Sequence, residues 1–220
     1  MQCALFGKLP SKRDFVSYNM PRPFLENWEN WLQASLAESK LLIGDRWQNL
    51  FLTMPIWRFW LGRNLFGQSA VGAIMPSVDG VGRYFPLCLV AFAPETMRLV
   101  PPPQGDLNAW LASGEVLLLN LLNDDASLDA PTLLRDFPFP PTVQAALNGR
   151  PQSRMVNWTA ASQTLQDGFA AIEAQDAARL NDNRGFWWTL GGNAHAERLV
   201  TTDGPPGSGF LANMMTATFD

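Results

Sequence analysis

Apolar residues along this chain recur in two distinct periods. Phe24, Leu25, Trp28, Trp31, Leu32 and Leu36 return at steps of three and four, with Glu26, Glu29, Asn30 and Gln33 between them. That spacing places one apolar stripe on one face of a helix. The predicted helix runs from Pro23 to Leu42, with prolines at its entry and Gly44 closing it. Leu107, Trp110, Leu111, Leu117, Leu118, Leu121 and Leu122 make a second stripe up to Asn123, with Asp106 as the expected cap. Gly114 lies on that stripe and slightly weakens the case for one unbroken helix.

Between these helices the apolar segments are short and bounded by turn residues, as strands are. Cys3 to Leu9 predicts a first strand ending at Pro10, followed by a polar loop from Ser11 to Phe15. Ile56–Leu61, Ala70–Met75 and Tyr84–Phe92 predict three more. Pro86 places the start of the last one at an edge or a bulge, because proline offers no ladder donor. The connections are too short for helical crossovers, so sequential strands should run antiparallel. Phe186–Leu190 and Ala196–Thr201, joined through Gly191-Gly192-Asn193, read as a late hairpin. Short helices are expected near Pro131–Asp136 and from Phe210, and an Ala-rich helix over 159–180. Pro101-Pro102-Pro103 is a stiff connector, and no internal repeat is present. The predicted class is α/β, with helices layered on a mostly antiparallel or mixed sheet.

Composition narrows the function. Of 220 residues, 47% are hydrophobic and 16% charged, so the chain has ample apolar surface to bury and is not disordered. A net charge of -4 and a pI near 5.0 offer no basic footprint for nucleic acid. One histidine and two cysteines cannot build a multi-ligand zinc or iron–sulfur site. Cys3 and Cys88 read as small buried hydrophobes of a reducing compartment. The N-terminus lacks the charge and apolar pattern of a signal peptide, and no apolar run is long enough to span a membrane. A cytoplasmic protein without cofactor is the expectation. Nine tryptophans imply an aromatic core, some of them available to line a partner surface.

The densest polar motif is Pro76-Ser77-Val78-Asp79-Gly80-Val81-Gly82-Arg83-Tyr84-Phe85-Pro86. Asp79 paired with Arg83 would fix a constrained turn. The same residues suit a rigid recognition loop. Ser77 as a nucleophile would need a base. The sole histidine, His195, lies in a distant polar segment, and the nucleophile-elbow spacing is absent. Gly7-Lys8-Leu9-Pro10-Ser11 fails as a phosphate loop, because the spacing is wrong and Pro10 removes a donor. Lys8, Lys12 and Arg13 form a small basic cluster, read as solvated or as a receiver of an acidic partner. Gly204–Gly209 is read as a plain loop, and Arg58 as a cation stacked on Trp60.

Two stretches resemble a known family. Gly7-Lys8-Leu9-Pro10-Ser11 with Arg13-Asp14-Phe15, and Met75-Pro76-Ser77-Val78-Asp79-Gly80-Val81-Gly82-Arg83-Tyr84-Phe85-Pro86-Leu87, are similar to the opening and central motifs of TagF, a type VI secretion-associated family. Pro55–Phe59 and Phe186-Trp187-Trp188 also fit, in order, so the resemblance covers most of the chain as one domain, 1–220. Ser11-Lys12-Arg13 departs from the family pattern, where a glycine is expected before the aspartate. The resemblance implies a layered α/β/α sandwich with a central mixed, largely antiparallel sheet. It also implies a cytoplasmic, non-enzymatic repressor that acts post-translationally on type VI secretion by binding a forkhead-associated scaffold protein. Some relatives carry a fused phosphatase domain, for which this chain has no room. On this reading Arg13, Asp14, Phe15, Ser77, Asp79, Arg83, Tyr84, Phe85 and Pro86 form the partner-binding segments. The rival readings are a structural subunit of the secretion assembly and a serine hydrolase using Ser77.

Overall fold

A computed structural model describes residues 3–94, 97–102, 105–123, 129–144, 177, 180–192 and 195–219. The elements in chain order begin with β1 (Ala4–Gly7), β2 (Val16–Tyr18), α1 (Arg22–Ile43), α2 (Trp47–Thr53) and β3 (Trp57–Leu61). They continue with α3 (Arg63–Phe66), β4 (Ala70–Met75), β5 (Leu87–Phe92), β6 (Met97–Leu99) and α4 (Asn108–Leu122). The last are α5 (Ala130–Asp136), β7 (Thr142–Gln144), β8 (Arg184–Thr189), β9 (Arg198–Asp203) and α6 (Phe210–Thr216). The Ala-rich stretch predicted as a helix over 159–180 falls almost wholly outside the described residues.

Seven strands form one sheet in the order β2-β1-β5-β4-β3-β8-β9, and every pairing in it is antiparallel. A mixed, largely antiparallel sheet is the expectation; among the described residues every pair is antiparallel. β6 and β7 pair as a separate antiparallel ribbon. Side chains alternate across the sheet, and each face carries its own core. Trp57, Phe59 and Leu61 of β3 join Trp28, Trp31, Phe66 and Trp187 under α1, α2, α3 and α6. Trp60 of β3 and Leu89 of β5 face the other way, toward Trp110, Leu111 and Leu118 of α4 and Leu134 of α5. The result is the expected helix–sheet–helix sandwich.

The sheet corrects three sequence readings. β5 begins at Leu87, just after Pro86, and lies between β1 and β4 in the sheet interior. Pro86 therefore opens a central strand rather than marking an edge. Gly114 does not break α4. A side chain there would strike Leu89, so the glycine is where the helix presses closest to the sheet. Arg58 is not paired through the Trp60 ring. It is buried on the α4 side, where its Nε donates to Glu115 at 2.6 Å and its Nη1 to Asn108 at 3.3 Å.

Both cysteines are free and buried, as small hydrophobes should be. Burial pushes each thiol up to about 12. Asp106 supports the start of α4 by accepting from the Asn108 N–H at 2.8 Å. No helix among the described residues is long and apolar enough to cross a membrane.

Candidate functional site

The two motifs singled out in the sequence meet in space. The first connects β1 to β2 and the second connects β4 to β5, and β1 is the sheet neighbour of β5. Antiparallel pairing carries both connections to the same end of the sheet. Gly7, at the end of β1, has φ +137 and would drive a side chain into the Pro86 carbonyl. Only glycine lets the two segments approach this closely. Backbone bonds then zip them together, with the Gly80 N–H donating to the Lys12 carbonyl at 2.8 Å.

Asp79 is the keystone. Its Oδ1 accepts from the backbone N–H groups of Arg83 at 2.8 Å and Val81 at 3.1 Å. Its Oδ2 accepts from Lys8 Nζ at 2.9 Å and Arg83 Nε at 2.7 Å. Lys8 is buried along with it, so the cation read as solvated is instead the counterion of a buried carboxylate. Ser77, also buried, donates its hydroxyl proton to the Lys8 carbonyl at 2.7 Å. Arg83 Nη2 donates across to the Arg13 carbonyl, and the same group stands 4.0 Å from Asp14.

An aromatic layer lies beside these charges. Phe15 meets Phe85 edge-on at 4.7 Å and lies near-parallel to Phe6 at 6.1 Å. Lys8 Nζ stands 5.0 Å from the Phe15 ring centroid, within cation–π reach. Tyr84 turns the other way and packs edge-on against Trp47 and Phe51 of α2.

The sequence-predicted residues therefore divide by role. Ser77, Asp79, Phe85 and Pro86 are buried and shape the turn. Asp14, with a side chain 97% exposed, Phe15 at 46%, Arg13 and Arg83 face solvent. Val81, 56% exposed at the tip of the same turn, stands beside them. Lys8 was missed as a structural ion. The signal was there: a lysine between Gly7 and Leu9 in an apolar strand end needs a buried partner.

Burial pushes the Asp79 carboxyl up, but its bonds from Lys8, from the Arg83 backbone and guanidinium, and from the Val81 N–H outweigh that. They hold it well below the ordinary value of 3.8. A carboxylate depressed in the folded state stabilises the fold fully above its unfolded value. That contribution fades as pH falls below about 4. Asp79→Asn should therefore be less stable than the wild type at pH 7, and the gap should narrow by pH 3. Denaturant midpoints of both proteins at the two pH values measure this; a gap that is independent of pH contradicts it.

His195 is far from this cluster in the sheet. Its backbone bridges to Gly192 at the turn before β9. No group of three or more His, Cys, Asp or Glu able to hold a metal occurs among the described residues.

Comparison with known proteins agrees with the motifs. The model of the TagF N-terminal domain, type VI secretion system-associated, matches residues 4–134. Among solved structures, PA0076 from Pseudomonas aeruginosa PAO1 is similar at 29% identity and a TM-score of 0.79. That alignment covers 99% of this chain and 96% of the other. A search of curated proteins gave no match. With its opening and central motifs interlocked at one end of the sheet and the family profile spanning both, this chain belongs to the type VI secretion-associated TagF family.

Proposed function

We propose that this protein is a cytoplasmic, non-enzymatic repressor that acts post-translationally on type VI secretion by binding a forkhead-associated scaffold protein. The observation that carries this reading is the loop pair held by Asp79. Two connections are fixed by the buried carboxylate of Asp79, which pairs with buried Lys8 and exposed Arg83, and present Arg13, Asp14, Phe15, Val81 and Arg83 outward. A rigid arginine beside a half-exposed aromatic ring is the composition of an interface hot spot. Occupancy of the scaffold would withhold it from assembly.

The hydrolase reading loses ground on geometry. The Ser77 hydroxyl is buried and committed to a backbone carbonyl rather than to a base. It acts as a latch between the two loops.

Co-purification with the forkhead-associated scaffold tests the proposal, using wild type and the double variant Asp14→Arg/Val81→Glu. Both side chains are exposed, so the variant should keep the wild-type melting temperature. Retention of wild type and at least a tenfold loss for the variant are expected. Equal retention moves the docking surface elsewhere. A wild type that is not retained removes the scaffold as partner, and stoichiometric residence in the assembled apparatus would favour a structural subunit.

A further inference from the structure

The far edge of the sheet carries a second surface, unrelated to the Asp79 loops. Among the described residues β9 pairs with β8 alone, so no described strand takes up its outer row of backbone donors and acceptors. Native edge strands are usually short, bulged, or interrupted by proline or lysine. β9 has none of these protections. It is six residues long, pairs without a bulge, and its middle is Leu199-Val200-Thr201-Thr202, uncharged and rich in branched side chains. Such an edge is a template for another strand.

Its two faces differ. Leu199 lies opposite Trp188 of β8, on the α4 side of the sheet. Leu199 is 65% exposed and Leu190 57%, and with Phe186, Trp188 and Pro102 they line an open groove of ≈ 510 Å³ that Glu197 and Arg198 also border. Arg198 projects from the opposite face, on the side of Trp187. Its guanidinium lies 5.5 Å from the Phe219 ring, and its Nε has no hydrogen-bond partner. Asp203, at the other end of the strand, is engaged by Arg184 at 3.2 Å. Among the described residues no carboxylate pairs with Arg198, which thus stands beside a largely apolar groove along a strand edge with no second partner.

We propose that β9 receives an extended segment of a partner protein as an antiparallel strand, with an acidic residue set against Arg198 and the adjoining apolar residue in the groove at Leu199. Side chains alternate between the faces of a strand, so an acidic residue next to an apolar one matches both features at once. A second copy of this chain does not meet the requirement. Two antiparallel copies of β9 keep their faces, so Arg198 meets only Ala196, Arg198, Val200, Thr202 or Gly204 of the other copy. None of these is acidic.

The probe is the synthetic peptide Lys-Thr-Val-Val-Leu-Glu, which sets lysine against Asp203, leucine against Leu199 and glutamate against Arg198. The control peptide ends in lysine instead of glutamate. Titration followed by amide chemical shifts should show the glutamate peptide binding at least tenfold tighter, with the largest shifts along β9. Arg198→Glu should reverse that order, and its unchanged melting temperature would show that the fold is intact. Equal affinity for the two peptides, shifts centred away from β9, or no binding of either peptide overturns the proposal. Concentration-dependent dimerisation through β9 overturns it as well.

Discussion

Trp28→Ala should lower stability by about 4 kcal/mol, the cost of truncating a fully enclosed large aromatic. Trp28 is wholly buried on the inner face of α1. Its ring lies parallel to that of Trp187 at 6.2 Å and within 5.5 Å of Phe24, Trp31, Phe59 and Phe66. These neighbours come from α1, α3, β3 and β8, so no single element can move in to fill the cavity. Thermal unfolding should show a drop of about 12 °C for a chain of this size. A drop of only a few degrees would mean that the surrounding rings collapse into the gap. Trp28→Phe should recover roughly half of the loss, because most of the ring contacts return.

The second large effect is on the opposite face. Glu115→Ala should cost about 3 kcal/mol, since it leaves the buried Arg58 guanidinium without its carboxylate. Asn108 remains as a neutral partner and does not replace the charge. The double change Arg58→Met/Glu115→Leu should restore most of the stability, because an apolar pair of similar volume avoids the desolvation cost. Denaturant unfolding of the two variants decides between the accounts. If the double variant is no more stable than Glu115→Ala alone, the pair is not an isolated ion bridge but part of a wider polar network.

The elements legible in the sequence were those whose apolar period stands alone. The stripe from Phe24 to Leu36 predicted α1 nearly to its ends, and Gly44 closes it. β3, β4, β8 and α6 followed from short apolar runs between turn residues. α4 was visible, but Gly114 suggested a break, because its purpose is a contact with Leu89 on another element. β2 has three residues, and α3 a single turn, too short to show a period. Strand order was hidden for a different reason. β1 pairs with β5, and β3 with β8, across long stretches of chain, and nothing local encodes such partners.

The candidate site divides in the same manner. Asp79 paired with Arg83 was readable from their separation within one turn. Lys8 was in view but without its partner, because the bond spans from the first strand to the fourth connection. The edge-on contact of Phe15 with Phe85 depends on the same long-range pairing. The open edge of β9 is a property of sheet order, so no reading of its six residues alone would reveal it.

The place of β8 in the sheet bears on how the protein is made. The family profile ends at residue 134, yet β3 borders β8 along Arg58–Leu61, and Trp187 of β8 completes the ring cluster around Trp28. A nascent chain that has emerged only as far as residue 134 would carry β3 as a bare aromatic edge over an unfinished core. Such an edge invites pairing with other chains. A fragment cut at residue 134 should therefore be captured by chaperones or precipitate. β8, which lies beyond residue 134, is what covers the aromatic edge of β3.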